Sequence, residues 1–510
     1  MELRGKIFFC CAIGRRESST SKTRIDARDR IHRLAKKMWC HSTFFVDSQG
    51  MFGQVRTVTL IPQVQWARKI FCAWYALSTL VVAGAESKDF GAVLLSSESW
   101  NMSMEDWQKQ FRVELTPEQK HIWEARQAHA KSQGLDVADE VISPFRWLSD
   151  RHDSLQAPPG RMMLWGQKLG EVIVRAKDDR VGFVNISLYN RGDNEMITVS
   201  ALQMKFAEWK KLLEEKTAKP GEERKSTGAV STLSYQWRLG ETALLLEASI
   251  GDDQGQPRAE FLRLRAASTQ HTSTKITNRS SLRSNVKRME DGDVFIHNMP
   301  MVDQGQKGYC AVATIARVAG YYGLDVDQHE IAQLANTSAL GTSTDEMEAS
   351  FKTIISKLHI RTTQHFEISP RQFEADVRAY NQLAKKKGAE VFKAPDGYQL
   401  NPTAVWESMD PEIFATVKSS QSGCKRFMTK VSEYIDQGIP LCWCLRLGIF
   451  PEKDLPQRGG GHMRLIIGYN AQTQEIIYSD SWGKGHEFKK MPLAHAYASS
   501  SLLYTMSPTR

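Results

Sequence analysis

The chain has 510 residues, 41% of them apolar and 25% charged, the proportions of a globular protein with room for two or three domains. Its formal net charge of +9 does not mark a nucleic-acid binder. Residues 1–85 carry 14 Lys or Arg against 5 Asp or Glu, and the rest of the chain carries 53 of each, so the folded body has no basic footprint.

Residues 1–50 are polar and basic with no apolar period. Arg68-Lys69 then leads into the apolar run Ile70–Val82 and the small-residue segment Ala83-Gly84-Ala85. This is the layout of a secretory signal. The run is short for a membrane span, which needs roughly 20 residues. The expectation is that synthesis starts at Met51, with residues 1–50 untranslated or disordered. Residues 51–85 read as a signal peptide cleaved near Ala85, and the product as exported (periplasmic, cell-surface or secreted) with no stable membrane span. Four of the eight cysteines (Cys10, Cys11, Cys40, Cys72) fall in this segment.

Residues 86–265 read as a first α+β domain. Helical patterns at 104–111, 117–132 and 201–216 are interleaved with strand-like runs at 170–175, 181–188, 243–250 and 261–265, and scattered tryptophans fill a core. Arg191-Gly192-Asp193 resembles an adhesion tripeptide but follows a strand and reads as a turn. Nothing in the domain suggests chemistry; a propeptide-like cover, a binding module and a spacer all fit. Residues 266–290, rich in Ser, Thr, Arg and Asn, read as a linker.

The second domain, 291–510, opens with a short strand at 294–296 and a polar loop, Val302–Tyr309. The pattern changes at Cys310. Ala311, Ile315, Val318, Ala319 and Tyr322 recur at helical spacing and Gly323 closes the run. Cys310 therefore stands at the first turn of a helix, where unpaired N–H groups and the dipole favour thiolate. Gln304, six residues earlier, can turn its amide toward the same point and join the Cys310 N–H in holding an oxyanion.

Further on, Asp327 and Glu330 are spaced as a capping box, and a helix runs through 347–358. His329-Glu330 begins like a zinc-protease helix but lacks the second histidine. No Cys or His pair has zinc spacing, so neither metal nor cofactor is expected. A largely helical insertion spans 366–420 and a helix covers 425–437. Strands follow at 439–447, 463–469, 475–479 and 501–505. Helices followed by antiparallel strands make an α+β domain. Cys442 and Cys444 share one side of a strand as small buried groups; a disulfide from Cys424 to one of them is the alternative.

His462 opens one strand after three glycines, and Asp480 ends the next. A short turn at 472–474 would set them side by side. A thiol with a pKa of about 8.5 is a weak nucleophile at neutral pH. A histidine can hold it as a thiolate–imidazolium pair, with a third group orienting the ring.

Gln304-Gly305, Cys310 at a helix start, Gly461-His462 before an apolar strand and Asp480-Ser481-Trp482-Gly483 together resemble papain-like cysteine peptidases. The intervals of 6, 152 and 18 residues fit that family's order. The third-member Asp and the Tyr309–Ala313 stretch look closer to its bacterial double-glycine-leader (bacteriocin-processing) branch. The resemblance covers about 294–505. It implies a papain-like fold with a helical half and an antiparallel half, preceded here by a separate mixed α/β domain, and hydrolysis of peptide bonds in a peptide or protein substrate. It further implies Cys310 as nucleophile, His462 as acid–base, Asp480 as its orienter, Gln304 as oxyanion donor and Trp482 as a shield over the His–Asp pair. Gln306 and His486 are rivals for the oxyanion and base roles. A transglutaminase-like acyl transferase and a catalytically silent peptide-binding module are the alternative functions.

Overall fold

The computed structural model describes residues 90–509 except 113–116, 133–142, 194, 227–228, 271–276, 306, 325, 338–359, 394–401 and 458. The signal-peptide reading, the 347–358 helix and Gln306 fall outside the described residues.

The first half of the chain builds a twisted antiparallel sheet with helices on it. Helices α1 (Phe90–Leu95), α2 (Met104–Gln110) and α3 (Pro117–Ser132) precede β1 (Arg146–Trp147), β2 (Ser154–Ala157), the small hairpin β3 (Met163–Leu164) and β4 (Gln167–Lys168), β5 (Val172–Lys177) and β6 (Arg180–Asn190). Helix α4 (Val199–Thr217), capped by the Thr198 hydroxyl, leads to β7 (Glu222–Arg224), β8 (Thr232–Leu239), β9 (Thr242–Asp253) and β10 (Gln256–Ser268). The sheet order is β1-β2-β5-β6-β10-β9-β8-β7, and its pairings are antiparallel, so helices and sheet form an α+β layer. α4 lays Leu202, Phe206, Trp209 and Leu213 onto the core, where Leu244, Leu246, Leu262 and Leu264 alternate inward.

The segment read as a linker, 266–290, is mostly structured. β10 runs on to Ser268, a 3₁₀ turn spans Arg279–Asn285, and β11 (Val286–Arg288) pairs with β12 (Asp293–Ile296). Their polar residues are a sheet edge and its approach, which composition alone does not separate from a linker.

The second sheet runs β11-β12-β15-β14-β18-β13, with β13 (Ile360–Glu367), β14 (Leu441–Leu447), β15 (Gly460–Asn470) and β18 (Ser500–Pro508). β16 (Glu475–Ser479) hangs from β15, and β17 (Lys489–Pro492) from β16. Helices α5 (Cys310–Tyr321), α6 (Gln328–Leu334), α7 (Pro370–Lys387), α8 (Pro402–Ser408), α9 (Pro411–Ser419), α10 (Ser422–Ile435) and α11 (Leu493–Ser499) complete it. The 366–420 insertion has a small core of its own, with Phe373, Tyr380, Trp406 and Phe414. It also holds a fully buried Lys418–Asp376 ion pair at 2.6 Å.

α5 is the helix expected from Cys310 onward. Cys310 through Ala319 are all buried, because the helix is covered on two sides. Thr314 bonds the Met463 carbonyl of β15 on one side, while Ala316 and Gly320 line a cavity with Leu148, Ile173 and Phe183 of the first half on the other. A helix covered all round reads as apolar all round. At α6, Asp327 caps through the His329 and Glu330 N–H groups, but Glu330 does not close a capping box. Its carboxylate instead takes Arg263 of β10 at 2.6 Å. Among the described residues Cys310, Cys424, Cys442 and Cys444 form no disulfide, so the alternative of a bridge from Cys424 to Cys442 or Cys444 is not realised. Burial pushes the Cys442 thiol up to about 12, so it stays a neutral core group.

Gly468 is required by close approach: a Cβ there would lie 2.5 Å from the Val294 carbonyl oxygen and 2.6 Å from the Phe295 Cβ of β12. Gly468→Ala is expected to force β12 off β15 and lower stability by about 2 kcal/mol. Chemical denaturation of wild type and variant checks this; an unchanged midpoint would contradict it.

Candidate active site

The site assembles where α5 meets the β15–β16 hairpin. The residue before the helix, Tyr309, supplies no side-chain cap, and Cys310 opens the helix at the end where the dipole favours an anion. The hairpin forms as its turn residues suggest, with Leu465 opposite Ser479. That register sets His462 beside Asp480, with Nε2 and Oδ1 2.6 Å apart and both side chains buried. Among the described residues the other ring nitrogen, Nδ1, is buried with no oxygen or nitrogen partner, and the Cys310 thiol interacts with the same ring. Trp482 stacks on the imidazole, with ring centroids 4.4 Å apart and planes 10° from parallel.

Burial works against a charged His462. The Asp480 carboxylate, first by its charge and then by its hydrogen bond, overcomes this together with Cys310, and lifts the imidazole from 6.5 to about 9. Burial likewise works against the Asp480 carboxylate, but the charges of His462 and Arg464 hold it well below the usual carboxylate range.

Two arginines in this cluster escaped sequence reasoning. Arg464 is two residues beyond His462 on β15 and so shares its face. Its Nε donates to Asp480 Oδ2 at 2.5 Å and its Nη1 to Glu452 at 2.8 Å. The His-x-Arg alternation was the available signal, but an arginine within an apolar strand has no identity until its partner is known. Arg317, on α5, donates to the Asp480 and Pro300 carbonyls, each at 2.8 Å, and to the Ser479 hydroxyl at 2.5 Å. Burial lowers its guanidinium to about 10. Helix and hairpin are thereby tied at the residue beside His462.

Gln304 is fixed from three sides. Its backbone N–H donates to the Ser481 carbonyl at 2.8 Å, its Oε1 accepts from the Ser481 hydroxyl at 2.7 Å, and its Nε2 donates to the Lys307 carbonyl at 3.2 Å. An amide nitrogen carries two N–H groups, and among the described residues one of them is left for another acceptor. His486 makes an edge contact with Trp482, with centroids 5.6 Å apart, whereas His462 is the ring stacked on it. His329 is buried behind the Gln304 loop, facing Tyr309. Among the described residues no group of His, Cys, Asp and Glu could hold a metal ion.

Residues 296–503 match the sequence profile of the Peptidase_C39 like family. They form a C39-like cysteine peptidase domain. The domain accounts for about two-fifths of the chain and includes every residue of the cluster above. Two solved structures are similar to parts of the chain. One is the peptidase domain of Streptococcus ComA, a bi-functional ABC transporter involved in a quorum-sensing pathway. It is 14% identical, covering 41% of this chain and 99% of that one, with a TM-score of 0.23. The other is xylellain, a cysteine protease from Xylella fastidiosa. It is 11% identical, covering 47% of this chain and 92% of that one, with a TM-score of 0.22. Likeness at that level carries no weight beside the family match. No curated protein matches the chain. The family match takes the hydrolase reading over the transglutaminase-like one.

Removing Arg464 leaves a buried carboxylate with one donor fewer. Arg464→Met is expected to destabilise the domain by about 3 kcal/mol, because the partner charges stay buried and unpaired. Thermal unfolding measures this; a variant as stable as wild type would show that Asp480 does not depend on the guanidinium.

Proposed function

We propose that the peptidase hydrolyses peptide bonds through Cys310, His462 and Asp480, with Gln304 and the Cys310 N–H holding the oxyanion. The observation that carries this reading is the orientation of His462. Its Nε2 is committed to a buried carboxylate, its face is covered by Trp482, and its Nδ1 is left for a thiol at a helix start.

The steps follow from that arrangement. The Cys310 sulfur, held as thiolate beside the imidazolium, attacks the substrate carbonyl carbon and forms a C–S bond. The carbonyl π electrons move to oxygen, where the second Gln304 N–H and the Cys310 N–H stabilise them. The Nδ1 proton passes to the leaving nitrogen as the C–N bond breaks, giving an acyl-thioester and a free amine. A water then loses a proton to His462 Nδ1 and attacks the thioester carbon. Collapse expels the sulfur and releases the acid. Asp480 keeps the ring in one tautomer and supports its charge, and Trp482 keeps water from the pair.

We further propose that the chain is exported, on the strength of the Arg68–Ala85 pattern. No helix among the described residues is long and apolar enough to cross a membrane.

A folded pKa raised from 6.5 to about 9 means that protonated His462 contributes stability fully below about pH 6.5, and that this contribution is lost as pH rises through about 9. The imidazolium that holds the thiolate persists over the same range. Iodoacetamide is therefore expected to alkylate Cys310 well below pH 8, at a rate roughly level up to about pH 9. In His462→Ala the rate should instead follow an ordinary thiol, at least about tenfold slower at pH 6. An unreactive Cys310 at pH 6 in wild type would favour a silent peptide-binding module.

A further inference from the structure

The Arg191-Gly192-Asp193 turn is packed against the loop that carries Gln304. Asp193 Oδ1 takes the Lys307 ammonium at 2.5 Å, and the two side chains are 19% and 7% exposed. Asn190 braces the other carboxylate oxygen of Asp193 at 2.9 Å. Arg191 is anchored by Glu260 at 2.9 Å and by the Thr337 carbonyl at 2.7 Å. Gly192 is there because nothing larger fits: a Cβ would come 2.1 Å from the Tyr309 hydroxyl. With its Arg and Asp engaged inside the molecule, the tripeptide has no adhesive face to offer.

The loop is also gripped from its other end. Arg146 Nη2 donates to Asp303 Oδ2 at 2.8 Å, and Gln156 Oε1 holds the same guanidinium at 3.0 and 2.9 Å. These contacts bear directly on Gln304. Asp303 precedes it in the chain, and the Lys307 carbonyl accepts both the Gln304 Nε2 and the Tyr309 N–H, at 3.2 and 2.7 Å. The first half touches the Trp482 loop as well, where the Asp150 N–H donates to Glu487 at 2.6 Å.

We infer that Asp193 and Arg146 of the first half are positioning residues for the oxyanion-binding amide of Gln304, so that the first half is a working part of the peptidase rather than a removable cover. A residue that fixes where an N–H points changes the stability of a tetrahedral adduct while leaving the thiolate itself alone. The inference rests on the proposed roles of Cys310 and Gln304.

The test separates these levels. In the full chain, wild type, Asp193→Asn and Arg146→Gln are titrated with N-acetylglycinal. This small aldehyde forms a hemithioacetal on the thiol and has no side chain to be selected. Binding is read as protection of Cys310 from iodoacetamide at pH 6. Each variant is expected to bind the aldehyde about tenfold more weakly while its alkylation rate without aldehyde stays within twofold of wild type. Equal aldehyde affinity in wild type and both variants overturns the inference, and so does tighter binding in the variants, which would make the first half a cover. A wild-type Cys310 that does not alkylate at pH 6 defeats instead the nucleophile reading beneath it. If Asp193→Asn fails to fold, Arg146→Gln decides, since its side chain is 36% exposed.

Discussion

The site depends on a carboxylate kept charged where water does not reach. Asp480 is wholly buried, and a lone carboxylate in such a place would be protonated. His462, Arg464 and the Ser481 N–H supply its partners, and Arg317 fixes the backbone on which it sits. The imidazole draws its raised proton affinity from that carboxylate, and from there the poise of a thiol beside it follows. The pair is therefore an outcome of desolvation overcome by geometry: the donors are set before the reaction and need not reorganise during it.

The Cys310 helix gives the cluster a rigid reference. α5 lies between β15 and the sheet of the first half, buried along its length, and Arg317 reaches from it to the hairpin. A close-packed interior of this kind allows few alternative positions for Cys310 against His462. The Gln304 loop anchors Val302 and Tyr309 in the same core, but its middle is held by polar contacts. It is polar, carries Gly305 at φ +68°, and is fixed by the Ser481 backbone on one side and by ion pairs from the first half on the other.

The sequence reveals these layers unevenly. The helix start at Cys310 and the hairpin with His462 and Asp480 near its open end were readable because each is local: a change of hydrophobic period, a turn, and strand alternation. Order and spacing then brought the residues to one family. Arg317 and Arg464 were not readable, because what they do is decided by partners 163 and 16 residues away. The same holds for Arg191-Gly192-Asp193, a turn by any local rule, whose meaning lies 114 residues on at Lys307. Short strands such as β1, β2 and β7 fell below any periodic signal, and β11 hid inside polar residues that read as a linker. Of the two β14 cysteines read as small buried groups, Cys442 is in the core and Cys444 is partly buried against it.

The central claim is that His462 is a cation at neutral pH because Asp480 and Cys310 make it one. The most direct measurement is a titration of the His462 ring nitrogens by ¹⁵N NMR in wild type, Asp480→Asn and Cys310→Ser. The account predicts a doubly protonated ring in wild type up to near pH 9, a fall of at least about one pH unit in Cys310→Ser, and a larger fall in Asp480→Asn. A wild-type ring that is neutral at pH 7, or one that titrates at the same pH in all three proteins, would contradict it.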